Sequence, residues 1–331
     1  MDGPGEIRSW LDGGAAVSVI QDDEPVPAAR IARRADDLAA RLGQRTTARI
    51  ALASQRADSI YAALSACEAT RKQLLLLRET FPADHPNWRA WGVGCLLDDD
   101  LQETPLPSEA PESGQAGVML MTSGTTGTPK VALHDLDRLL RRIRHSRAAG
   151  DGERWLLTYH PASFAGMQVL LTALSSRQTA SVFTEAALRH RPTHISATPT
   201  FWRSFLLALG PRCRELPLQQ ITIGGEAVDQ RALDDIRAAR VSHIYASTEA
   251  GALFAVKDGR AGFPARWLQE GVDGVQLRIR DEILEVLSPR AMRSYLAVAS
   301  GKTPRKMDGS SPTTWWRWWK TGCCSADGGC D

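Results

Sequence analysis

Residues 121–130, MTSGTTGTPK, gather two glycines, five hydroxyl side chains and a terminal cation into ten positions. Glycine lets the backbone approach a ligand closely, and Ser and Thr hydroxyls donate to phosphate oxygens. Lys130 adds a point charge. A strand running straight into such a loop can present several N–H groups and hydroxyls to one anion. No Gly-Lys-Ser/Thr follows, so this is not a Walker loop, and the spacing does not fit GxGxxG. On residue types alone, a flexible polar loop is the competing reading.

The segments that would position this loop alternate strand and helix. PAARIARRADDLAARL puts Ile31, Ala35, Leu38 and Leu42 on one helical face. RIALAS predicts a buried strand, DSIYAALSACEAT a helix and KQLLLLRE a second strand. Residues 81–117, rich in Pro, Asp, Glu and Gly, read as a long surface connection. Beyond them come strand GVMLMTS, helix LDRLLRRIRHSR, strand RWLLTY and helix GMQVLLTALSS. Next follow strand HISAT, helix PTFWRSFLLAL with proline in its first turn, strand QQITIGG, helix DQRALDDIRAA and strand SHIYAS. This order predicts an α/β fold, parallel sheets covered by helices, with a small β-rich portion near the C-terminus. The expected division is 1–250 for the α/β part and 251–309 for the β-rich part, which holds GVQLRIR and EILEVLS.

At 331 residues and a net charge of +2, the chain is large enough for a sizeable core and favours neither sign of partner. No basic stripe is interleaved with aromatics, so no nucleic-acid partner is expected. No apolar run is long enough for a membrane span, and the acidic start MDGPGEIRSW is unlike a secretory leader. Cys67, Cys95 and Cys213 lack zinc or disulfide spacing, which suits reduced thiols in a cytoplasmic protein.

The whole string TSGTTGTPK closely resembles the phosphate loop of the adenylate-forming superfamily of acyl- and aryl-CoA ligases, luciferases and peptide-synthetase adenylation domains. Further stretches resemble the family in its order: YHPASFAGM (159–167), ATPTFW (197–202), IGGEAVD (223–229), YASTEAG (245–251) and LSPRAMRSYL. The resemblance implies that a carboxylic acid attacks the α-phosphate of ATP, giving acyl-AMP and pyrophosphate. A thiol then displaces AMP, supplied by coenzyme A or by a carrier protein.

By the same resemblance Thr122, Ser123, Gly124, Thr125, Thr126 and Gly127 contact phosphate with Lys130. Gly225, Glu226 and Ala227 border the purine, Tyr245 lies against adenine, and Ala246 and Ser247 complete that wall. Ala246 stands where the family usually has glycine. Thr248 matches a phosphate-contacting hydroxyl, and Glu249 the carboxylate linked to Mg²⁺, a hard cation suited to that ligand. Tyr159, His160, Phe164 and Gly166 match the segment lining the acid pocket, whose residue types suit an aryl or a medium aliphatic acid. His134 and His243 read as structural. The alternatives are a remnant that binds nucleotide or acid without turnover, and a chain that borrows its C-terminal domain from a partner.

After Gly309 the family pattern stops, and SSPTTWWRWWKTGCCSADGGCD appears instead. Tryptophan has a single codon, so the displaced frame of this stretch can be back-translated. It can read T-D-D-L-V-E-V-V-E-D-R-V-L, close to the family segment that carries a ribose-binding Asp. Only six of the forty Lys and Arg residues are lysine, as expected of a GC-rich gene in which such a frame stays open. Residues 310–331 are therefore expected to be an aberrant, disordered frameshift product, with the family's mobile C-terminal domain missing. A genuine Trp-rich membrane-surface tail is the competing reading.

Overall fold

The structure is a computed structural model that describes residues 5–13, 18–107, 114–122, 130–145, 153–175, 180–182, 189–228, 230, 233, 240–296 and 315–320. Strands and helices are numbered in chain order. An eight-stranded sheet contains β1 (Ser18–Gln21), β2 (Glu24–Pro27), β9 (Trp155–Leu157), β10 (Ala180–Val182), β11 (His194–Ala197), β12 (Gln220–Gly224), β13 (Arg240–Ser247) and β14 (Gly251–Val256). Its order is β14-β13-β12-β11-β9-β10-β1-β2. The pairs from β13 through to β1 are parallel, while β14 and β2 close the two edges in antiparallel fashion.

A seven-stranded sheet contains β3 (Arg49–Leu52), β4 (Gln73–Leu76), β5 (Cys95–Leu97), β6 (Glu103–Pro105), β7 (Gly117–Thr122), β8 (Lys130–Asp135) and β17 (Ser294–Tyr295). It is ordered β17-β8-β7-β4-β3-β5-β6, with a parallel centre and antiparallel margins. Helices α1 (Glu6–Asp12), α2 (Ala28–Gly43), α3 (Ala57–Ala69), α5 (Leu136–His145) and α6 (Phe164–Ser175) share one core with both sheets. In α2 the predicted face of Ile31, Ala35, Leu38 and Leu42 is buried. Helix α3 is buried from Ala57 to Cys67, so its surroundings rather than an amphipathic stripe stabilise it. The Tyr61 hydroxyl donates to the Leu170 carbonyl at 2.7 Å, tying α3 to α6.

The outer face of the seven-stranded sheet is covered by α4 (Asn87–Trp91). Residues 81–117 are therefore not a surface connection throughout. Trp88 and Trp91 are fully buried there, and β5 joins the sheet beside β3. Composition misled because two tryptophans and a three-residue strand bury much apolar surface within a polar, Pro-rich stretch. On the eight-stranded sheet, α7 (Pro199–Leu209) covers the outer face through Trp202 and Phe205. Its N-cap is Thr198, whose hydroxyl accepts from the Phe201 amide, with proline in the first turn.

Within 251–309, β14 and β17 extend the two large sheets, whereas β15 (Gln276–Arg280) and β16 (Ile283–Leu287) form a small sheet with β18 (Trp316–Lys320). Within the 310–331 tail, β18 pairs antiparallel with the edge of β16, and the Trp315 ring lies 3.9 Å from the Arg278 guanidinium. Among the described residues no helix is long and apolar enough to cross a membrane.

Candidate active site

Parallel strands place their carboxyl ends on one side of a sheet, where open α/β folds bind ligands. Here the ends of β9, β11, β12 and β13 open on a cavity of about 840 Å³, which reaches α5 and α6. Its upper wall is made by Tyr159, Phe164, Thr198, Gly225, Ser247 and Thr248. That volume accommodates a drug-sized ligand.

Below this wall the sheet is polar where a covered parallel sheet would usually be apolar. Ser196, Thr222 and Ser242 are register neighbours across β11, β12 and β13, so three hydroxyls form a row across the cavity floor. One step nearer the strand starts, His194, Gln220 and Arg240 form a second row. The buried His194 ring lies 3.6 Å from the Glu153 carboxylate, which also accepts from the Trp155 indole at 3.0 Å. Burial holds the His194 ring below its ordinary pKa, Glu153 opposing and Arg240 adding to the shift.

The segment 159–167 is built on a tight turn. The Tyr159 hydroxyl donates to the Gly224 carbonyl at 3.3 Å, and burial raises its pKa. The His160 carbonyl accepts from the Ser163 amide at 2.9 Å and hydroxyl at 2.7 Å, while the imidazole Nδ1 accepts from the Ala162 amide at 3.1 Å. Burial, then the charge of Arg78, keep His160 below its ordinary range. A Cβ at Gly166 would stand 2.2 Å from the His160 carbonyl oxygen. Gly166 thus lets α6 sit on this turn, and neither it nor His160 lines the cavity that Tyr159 and Phe164 reach.

In the loop that follows β12, Gly225 adopts φ +85°, a conformation that favours glycine. Glu226 and Ala227 are exposed beside it. The Glu226 carboxylate accepts from the Thr200 amide at 3.1 Å and hydroxyl at 2.7 Å, and so caps the start of α7. Burial opposes its ionisation, but these hydrogen bonds lower its pKa.

The pairing of β13 with β14 is irregular at Tyr245 and Ala246, where the partner steps from Phe254 to Ala252 and leaves Leu253 as the extra residue of a bulge on β14. The Tyr245 ring stacks on Phe254, centroids 4.7 Å apart, away from the cavity. Ala246 continues the cavity-facing alternation of Arg240, Ser242 and Ile244, and Ser247 and Thr248 at the strand end line the cavity as well. The Ser247 hydroxyl accepts from the Ala250 amide at 3.0 Å and closes the turn that carries Glu249. Behind Thr248 lies the fully buried His134 ring, 5.4 Å from the Phe164 ring centroid.

Thr122 and Lys130 face each other at the loop end of the β7–β8 hairpin. Ser123, Gly124, Thr125, Thr126 and Gly127 lie outside the described residues. Lys130 Nζ stands 5.6 Å from the centroid of the Tyr295 ring, and the Tyr295 hydroxyl donates to the Glu249 carboxylate. The two charged site residues thus meet on one aromatic side chain. Among the described residues no group of three His, Cys, Asp or Glu could hold a metal. A single carboxylate such as Glu249 fits Mg²⁺ when phosphates supply further oxygens, as Mg²⁺ sites commonly use.

Sequence reasoning missed Tyr295 and the hydroxyl row. The row had a signal, since HISA, QITIG and RVSHI each alternate apolar with polar residues. Tyr295 had none, being 46 positions from Glu249.

The sequence matches the AMP-binding enzyme family over residues 13–291. No curated protein matches it significantly. Among solved structures, o-succinylbenzoate CoA synthetase (MenE) from Bacillus subtilis in complex with the acyl-adenylate intermediate OSB-AMP is similar, with TM-score 0.70 and 19% identity, over 94% of this chain and 73% of that one. The same enzyme in complex with ATP and magnesium gives 0.69 and 18%, over 94% and 74%. The N-terminal subdomain of Klebsiella oxytoca NpsA gives 0.69 and 15%, over 95% and 94%. The family match covers most of the sequence, and the α/β fold agrees with it: the chain belongs to the family of AMP-binding enzymes.

Proposed function

We propose that this chain activates a small carboxylic acid with ATP. A carboxylate oxygen attacks the α-phosphorus, the bond from that phosphorus to the bridging oxygen breaks, and pyrophosphate leaves with its electron pair. Acyl-AMP remains. Attack by a thiol on the acyl carbon then forms a thioester and releases AMP; coenzyme A or a carrier protein would supply the thiol. The observation that carries this reading is the convergence of Tyr159, Gly225 and the 246–248 segment on one cavity, with Lys130 and Glu249 joined through Tyr295. The Bacillus subtilis relative binds an acyl-adenylate in one structure and ATP with magnesium in another, which supports the same chemistry here.

Such a reaction asks the protein to position and to neutralise charge. Lys130 and the loop at 122–127 would hold phosphate oxygens, and Thr248 would donate to one of them. Mg²⁺, when bound, would neutralise phosphate charge, with Glu249 as its protein ligand. Gly225, Glu226 and Ala227 border the proposed purine side, with Ala246 and Ser247 opposite, while Tyr245 supports that wall from the far face of β13. Tyr159 and Phe164 line the acid's path, and His160 with Gly166 shape the turn beneath it. An aryl or medium aliphatic acid fits the cavity, and the hydroxyl row favours one that carries hydrogen-bonding substituents. We also infer a cytoplasmic setting, in keeping with ATP use and with free Cys67, Cys95 and Cys213.

The test is calorimetry with MgATP, followed by acid-dependent exchange of pyrophosphate into ATP. Binding should weaken on Lys130→Ala, and exchange should drop about a hundredfold on Glu249→Gln. Absence of MgATP binding by the unmutated chain would refute the nucleotide site. Binding without exchange for any acid would identify a chain that holds nucleotide without turnover.

A further inference from the structure

We propose that Tyr295 is the residue that positions Glu249 and Lys130 toward a shared phosphate–cation site; this rests on the function proposed above. Its backbone is fixed first. Tyr295 pairs with Ala132 in the two-residue strand β17, the Arg293 amide donates to the Leu133 carbonyl at 2.7 Å, and the Leu296 amide to Val131 at 2.8 Å. These contacts lock the segment onto β8, the strand that Lys130 begins.

The same segment grips the turn bearing Glu249. The Met292 amide donates to the Glu249 carbonyl at 2.8 Å. A Cβ at Gly251 would stand 2.3 Å from the Arg290 carbonyl oxygen, so only glycine allows this approach. Residues 290–296 therefore bridge two strands from different sheets.

The Tyr295 side chain completes the bridge. Its half-buried hydroxyl donates to Glu249 Oε1, which fixes the carboxylate's orientation and leaves Oε2 for a hard cation. Its ring face attracts the Lys130 ammonium, 5.6 Å from the centroid, and holds it on the same side as Glu249. One residue thus sets the spacing of a cation and an anion that must act together on a metal–phosphate group. It touches neither substrate in this arrangement and acts through its two neighbours.

The experiment is calorimetry with MgATP, and with ATP in excess EDTA, on the full chain. Phenylalanine at 295 keeps the ring and removes the hydroxyl, whereas leucine removes both. Tyr295→Phe should weaken MgATP binding about five- to tenfold and leave ATP–EDTA binding within about twofold. Tyr295→Leu should weaken both. In a Glu249→Gln background, Tyr295→Phe should cause no further loss, because the hydroxyl acts through that carboxylate. The double-mutant comparison still decides if Tyr295→Phe melts lower, since both backgrounds carry the same structural change. Unchanged MgATP binding by Tyr295→Phe, or full additivity with Glu249→Gln, would overturn the role of Tyr295 alone. Failure of the unmutated chain to bind either form of ATP would overturn the nucleotide reading and this inference with it.

Discussion

Acid should destabilise this fold in a window set by two buried histidines. His134 is fully buried behind Thr248, and burial pushes its imidazole down to about 4, the Arg138 charge adding to the effect and the Thr248 backbone partly offsetting it. Burial likewise lowers His243 to about 4. In the unfolded chain both would titrate near 6.5. The unfolded state therefore binds protons that the folded state refuses, and stability is lost as pH falls from 6.5 toward 4. By pH 5.0 each histidine accounts for about 2 kcal/mol, and by pH 4 for about 3 kcal/mol. Together they approach the whole stability of an ordinary domain, about 5–15 kcal/mol. Half-buried His160 and buried His194 shift in the same direction and add to the effect. Glu103 is held low by Arg41 and Arg45 against the opposing effect of burial, so it loses its contribution at lower pH, below the ordinary carboxylate value. The assay is urea unfolding at pH 7.5, 6.0 and 5.0, with proton NMR of the imidazoles. His134→Gln combined with His243→Gln should flatten the pH dependence between 6.5 and 5. A native His134 titrating near 6.5, or equal stability at pH 7.5 and 5.0, would refute the reasoning.

Three substitutions or deletions extend the test across the molecule. Gly166→Ala drives a methyl to 2.2 Å from the His160 carbonyl and should cost about 1–3 kcal/mol, read as a lower melting temperature and a raised KM for acid. Thr222→Val removes the central hydroxyl of the cavity floor at nearly constant shape. Pyrophosphate exchange with a hydroxylated benzoate should then drop about tenfold while exchange with benzoate holds, and an equal drop for both would remove the hydroxyl row from acid recognition. Deleting residues 310–331 unpairs the edge of β16, so amides of 283–287 should exchange faster by hydrogen-exchange mass spectrometry. Unchanged exchange there would mean that β18 adds nothing to the small sheet.

What the sequence disclosed depended on how local each cause is. The face of α2 repeats every three to four residues, and the runs in β3 and β4 are short and apolar, so both were legible. The β7 strand leading into the Gly/Thr loop was equally plain. Strand β8 was missed, because KVALHD follows a proline and opens with the lysine that closes the Gly/Thr loop motif. Its pairing with β7 is nevertheless what sets Thr122 opposite Lys130. The predicted helix over DQRALDDIRAA falls largely outside the described residues.

The site divides in the same way. Thr248 and Glu249 stand out because neighbouring residues form a recognisable string, yet the string does not reveal that Ala246, Ser247 and Thr248 meet Tyr159 and Gly225 on one cavity. Glu226 carries the same lesson in reverse: its motif suggests a purine border, while its carboxylate caps a helix through Thr200, 26 residues earlier. The shared cavity wall, a cap and the Tyr295–Glu249 bond each depend on chain segments brought together only by folding. Chemistry written as a contiguous motif survives in the sequence, but the orientation of its side chains is decided by partners whose distance along the chain carries no periodic signal.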